Sequence, residues 1–122
     1  MTAHGALVVA ALFAGLFLTG YGLGRSGSPY PAVLFNLHKF VGLGAGVYLA
    51  LIVRRLHLAR PLTTSDAVVV AVTVLLALAT VAAGGILSAI RPAPPLVSLA
   101  HRVLPYLTVA AAAVGLYLLT RR

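Results

Sequence analysis

The chain has 122 residues, of which 61% are hydrophobic and 8% charged, and its nine Lys and Arg face one acid, Asp66, giving a net charge of +8. So few charges cannot cover the outside of a water-soluble domain, which excludes an ordinary soluble globular fold. The lack of cysteine excludes disulfides, thiolate metal sites and covalent haem attachment, and bases gathered at helix ends and loops read as membrane flanks rather than a nucleic-acid surface.

Four apolar stretches predict transmembrane helices over residues 3–23, 31–56, 65–90 and 95–119 of one domain spanning 1–122. Each is near the about 20 residues that cross a bilayer. The first follows Met-Thr-Ala-His rather than a basic lead-in, so it is expected to be a retained helix and not a cleaved signal. It runs into GYGLGRSGSPYP, where Gly22, Gly24 and Gly27 offer turn freedom and Pro29 and Pro31 announce the next helix. The second helix reaches the pair Arg54-Arg55. In the following HLARPLTTSD, any of Thr63, Thr64, Ser65 and Asp66 is able to cap the third helix. The third helix carries no charge before Arg91, and the stiff RPAPP connection leads to a fourth that ends at Arg121-Arg122. Short connections force antiparallel neighbours, so the expected fold is all-α, an antiparallel four-helix transmembrane bundle.

A shift of 63 residues lays Pro29 on Pro92, Pro31 on Pro94, His38 on His101 and Lys39 on Arg102, with Gly22-Leu23 on Gly85-Ile86. This pattern predicts a tandem duplication of a helical hairpin. Five bases (Arg54, Arg55, Arg60, Arg121, Arg122) fall on the face of the termini. Of the other four, Lys39 and Arg102 belong to the histidines, which leaves Arg25 and Arg91 in the opposite loops. The bias predicts an integral membrane protein with both termini cytoplasmic.

An imidazole inside an apolar helix is expensive in lipid and marks a functional position. His38 and His101 each come seven residues after a matched proline, about 10 Å down their helices, and so share a depth. Diagonal helices of a bundle are roughly 12–14 Å apart, a gap that suits a flat cofactor with an imidazole on each face. One haem b per chain, ligated by His38 and His101, is the expected cofactor. Gly42 and Gly46, with Ala45, make a smooth face for a macrocycle below His38; Thr108, Val109 and Ala112 lie below His101, and Pro105 removes the backbone bond to the His101 carbonyl. Lys39 and Arg102, with Arg25 and Arg91, face no acid and match two propionates, or else lipid phosphate. Two ligands without Cys, Asp or Glu nearby make a poor zinc or copper site.

His4 and His57 lie near the opposite face and offer a second haem only weakly, since one is at a terminus and the other in a basic interfacial stretch. Tyr21, Tyr30 and Tyr117 fit an aromatic belt, Tyr48 and Tyr106 are expected deeper as core, hydrogen-bonding groups or neighbours of an electron path, in that order, and Asn36 and Ser98 are available to a propionate or a quinone head group. With His38, His101, the bases after them and the glycines below on the page, the chain resembles small bacterial four-helix membrane cytochromes b, broadly of the cytochrome b561 type. It is shorter than most of these and has one well-placed histidine pair where many relatives have two. The resemblance implies electron transfer with a quinone pool or another membrane redox partner in a bacterial cytoplasmic membrane. The short loops leave little room for a soluble partner site, so association in an oligomer or larger complex is an expectation of its own. If the chain is an enzyme, it is an oxidoreductase acting on quinol or on superoxide by outer-sphere transfer. The alternative from another class is a cofactor-free membrane subunit or small transporter whose histidines are structural or relay protons. Nucleic acid is not an expected partner.

Overall fold

The computed structural model describes residues 3–121, and these form four α-helices: α1, Ala3–Ser26; α2, Ala32–Ala59; α3, Thr64–Ala89; and α4, Pro95–Thr120. All four are long and apolar enough to cross a membrane. The shortest has 24 residues, about 36 Å of helix, which exceeds a hydrocarbon core of about 30 Å.

The helix ends follow local chemistry. Gly22 and Gly24, read from the sequence as turn residues, lie inside α1; the helix stops at Gly27, whose φ of 66° is a left-handed cap. The Gly27 N–H donates to the Leu23 carbonyl at 3.2 Å and closes the last turn. α2 continues past the basic pair to Ala59 because nothing in Leu56–Ala59 breaks a helix, and Pro61 then turns the chain out. The Leu62 N–H donates to His57 Nδ1 at 3.3 Å just beyond that end. Thr63 is the residue chosen to cap α3: its hydroxyl accepts from the Asp66 N–H while the Asp66 carboxylate accepts from the Thr63 N–H at 2.9 Å, a reciprocal capping box. The chain's one acid is buried in this cap. α4 starts on Pro95, where the missing N–H costs nothing, and runs through Pro105 to Thr120. The peptide bonds before Pro29 and Pro92 are both cis.

The chain falls into two compact units, Met1–Arg55 and Leu56–Arg122. In the first, α1 and α2 pack as an antiparallel pair. A methyl placed on Gly15 would meet Val41 at 3.4 Å, one on Gly20 would meet His38 at 3.2 Å, and one on Gly22 would meet Leu34 at 3.1 Å. The partner number falls as the glycine number rises, which is the signature of antiparallel helices. In the second unit α3 and α4 pair in the same sense: Thr80 meets Thr108 with hydroxyls 3.2 Å apart, and Gly115 lies against Val69. Buried seam positions are small or medium, among them Ala45, Ala83, Ala112 and Leu116, as expected where helices associate by close packing in lipid.

The outer faces are the reverse of a soluble protein's. Val33 is 83% exposed, Leu96 76%, and Leu18 and Val81 72%. Such a surface is stable only when hydrocarbon takes the place of water. Hydroxyls adapt to the same solvent by bonding within their own helices: Thr73, Thr80, Thr108 and Thr120 each donate to the carbonyl one turn earlier at 2.7–2.8 Å. The chain is an all-α integral membrane protein built from helical hairpins.

Candidate functional site

Both intramembrane histidines are half-buried and turn toward the first helix of their own hairpin. In the Met1–Arg55 unit, His38 Nδ1 lies 2.9 Å from Thr19 Oγ1. The Thr19 hydroxyl has one proton, and it is directed at the Gly15 carbonyl 2.7 Å away, with the Leu16 carbonyl at 3.1 Å. Thr19 therefore accepts, His38 Nδ1–H donates, and the basic lone pair of the neutral ring is on Nε2.

In the Leu56–Arg122 unit, His101 Nδ1 lies 3.1 Å from the Thr80 backbone carbonyl. A carbonyl only accepts, so Nδ1 again carries the proton and Nε2 the lone pair. No bond joins His101 Nε2 to any described residue, and no buried side-chain nitrogen or oxygen among the described residues lacks a partner. Nε2 is therefore accessible at the surface of the hairpin. A lone pair displayed in hydrocarbon calls for an electrophile or a proton donor.

Glycine makes this arrangement possible. A methyl on Gly84 would stand 2.7 Å from His101 Cε1, 3.2 Å from Nδ1 and 3.4 Å from Nε2, closer than real side chains come. Gly84 also lies one turn after Thr80. A side chain there would stand beside the Thr80 carbonyl that the ring must reach. Gly20 plays the milder counterpart, with 3.2 Å to His38 Cε1.

The remaining sequence candidates fall as follows. Gly42, one turn after His38, faces Leu16 on α1, where a methyl would come within 3.3 Å. Gly46 opens to space, with nothing within 4 Å of the equivalent point. Lys39 is exposed and its Nζ lies 4.0 Å from the centre of the Phe35 ring, so the side chain runs back toward the start of α2. Phe35 also stacks with Tyr30, ring centres 5.8 Å apart. Arg25 Nη1 donates to Tyr21 Oη at 3.2 Å on α1. Arg91 and Arg102 are exposed. His4 and His57 are exposed too, and His57 differs in kind, since its Nδ1 accepts a backbone N–H and the proton is thereby left to Nε2.

Thr19, Gly20, Thr80 and Gly84 did not emerge from the sequence. The shift of 63 that aligns the histidines sets Thr19 and Gly20 against Ala82 and Ala83, so the repeat hides the equivalence. The only signal available was the presence of a Thr and a Gly near one another in each preceding helix.

Among the described residues no group of three or more His, Cys, Asp or Glu gathers to hold a metal ion. What the residues do present is two imidazoles, each anchored through Nδ1–H, an arrangement that leaves the ring's lone pair to Nε2. Metal-bound histidines are oriented in this way, by an acceptor on the other ring nitrogen. In comparisons with known proteins, no family model, no curated protein and no solved structure matches this chain.

Proposed function

We propose that the chain is a membrane-embedded b-type cytochrome, with one haem b ligated by His38 and His101, that transfers electrons to or from a quinone or another membrane redox partner. The observation that carries this reading is the accessible, unpartnered Nε2 of His101, which keeps the ring's lone pair because Nδ1–H donates to the Thr80 carbonyl. The matching tautomer of His38 supports it. A haem with two imidazole ligands supplies one-electron chemistry at a six-coordinate iron. Within this reading His38 and His101 bind and orient, and the helices around them exclude water. Lys39 and Arg102, exposed one residue after the ligands, supply positive charge for propionates. The resemblance to cytochromes of the b561 type rests on these residues, and the assignment to a bacterial cytoplasmic membrane rests on that resemblance; the termini are placed inside by the bases Arg54, Arg55, Arg60, Arg121 and Arg122.

Haem content tests it. Purified wild-type protein, expressed with ample haem, is expected to hold one haem per chain, and His38→Ala or His101→Ala is expected to hold much less. A protein that folds, inserts and carries no haem contradicts the proposal.

One observation favours a second reading. Each Nδ1 bond joins the two helices of a hairpin, as an interhelical pin in a cofactor-free subunit would. Such bonds average about 0.6 kcal/mol in membranes. On that reading wild type is colourless, and each alanine variant loses only a small increment of stability.

A further inference from the structure

We propose that Thr19 is a positioning residue for His38, and that Gly84 is its counterpart for His101 because it bares the Thr80 carbonyl. The two devices reach the same end by different chemistry. The first acceptor is a side-chain hydroxyl whose own proton is committed to the Gly15 carbonyl at 2.7 Å, so that it meets the ring 2.9 Å away as an acceptor only. That chain of bonds polarises in one direction, from ring to hydroxyl to carbonyl. The second acceptor is main chain, 3.1 Å from Nδ1, and no substitution removes it. It is available only while residue 84 lacks a Cβ, since a methyl there would stand 2.7 Å from the ring. One hairpin thus controls its imidazole through a hydroxyl, the other through a missing side chain.

The consequence for a bound haem is that Thr19 tunes one ligand independently of the other. A ring that donates through Nδ1 is a stronger electron donor at Nε2 and favours the oxidised metal. This consequence rests on the cytochrome reading; the control of the tautomer does not. The two are therefore tested by separate readouts.

For the tautomer, the full chain in a His4→Gln, His57→Gln background is labelled with ¹⁵N-histidine, expressed with haem withheld and placed in lipid nanodiscs. Ring nitrogen shifts separate Nδ1–H from Nε2–H forms. Both rings are expected as Nδ1–H. Thr19→Val, close in shape, should release His38 into a mixture while leaving His101 unchanged, and Thr19→Ser should restore the single form. Gly84→Ala should disturb His101 alone. A His38 ring that stays Nδ1–H in Thr19→Val, or either wild-type ring protonated on Nε2, overturns the proposal. For the haem-loaded protein, the midpoint potential of Thr19→Val should rise and that of Thr19→Ser should return to the wild-type value. An unchanged potential in a variant whose tautomer is lost removes the tuning role. A chain that never takes up haem contradicts the cytochrome reading and leaves the tautomer result standing.

Discussion

Gly84 and Gly44 make opposite demands on an added methyl group. At Gly84 the methyl would overlap His101, 2.7 Å from Cε1, whereas at Gly44 nothing lies within 4 Å. Gly84→Ala is expected to cost about 1–3 kcal/mol, as overpacking of a tight seam does, and to reduce haem content with it. Gly44→Ala is expected to be neutral or to stabilise by up to about 1 kcal/mol, since it only removes backbone freedom from a helix. Unfolding in mixed micelles compares the two on one scale. Equal effects would mean that the His101 ring does not lie over Gly84. The bases near the histidines divide similarly: Lys39 has an aromatic ring beneath its ammonium group, while Arg102 is simply exposed.

At the scale of the helices, the α3 start is the most sharply specified element, because Thr63 and Asp66 satisfy each other's backbone N–H groups. Thr63→Ala is expected to cost about 1 kcal/mol, and it also strips a partner from a buried carboxylate. Hydrogen exchange in the first turn of α3 should accelerate in the variant, with little change in α1. The existence and rough limits of all four helices were legible in the sequence, since about 20 apolar residues between bases and prolines allow little else. Their ends were less legible. Gly24 looks like a stop but stays helical, and only Gly27 takes the positive φ that ends α1. His38 and His101 were legible because an imidazole stands out against hydrocarbon. Thr19 and Thr80 were not, because which turn of one helix meets which turn of the next depends on the stagger of the pair. That stagger is set by small-residue contacts such as Gly15 with Val41 and Gly115 with Val69, and no local pattern reports it.

For the whole molecule, the dominant fact is the apolar exterior. Val81 is 72% exposed in the middle of α3, a helix without a charged residue after Asp66. Val81→Arg is expected to penalise membrane insertion by about 2.5–3.5 kcal/mol on translocon-based scales. Insertion of α3 in a glycosylation-mapping assay should fall accordingly, while Val81→Leu should leave it unchanged. Normal insertion of the arginine variant would mean that this face does not meet lipid. The one buried acid serves a cap, and no acid is left to balance the bases near the histidines. That surplus suits an anionic cofactor edge or an anionic lipid surface, and it makes a carboxylate-based proton path through the membrane a poor fit.

The most direct measurement is the reduced-minus-oxidised absorption spectrum of the purified full chain, recorded for wild type, His38→Ala and His101→Ala. The expected result is a sharp low-spin b-type band in wild type that either substitution abolishes or converts to a high-spin form. A colourless wild type after expression with ample haem, or a low-spin band that survives both substitutions unchanged, would contradict ligation by His38 and His101.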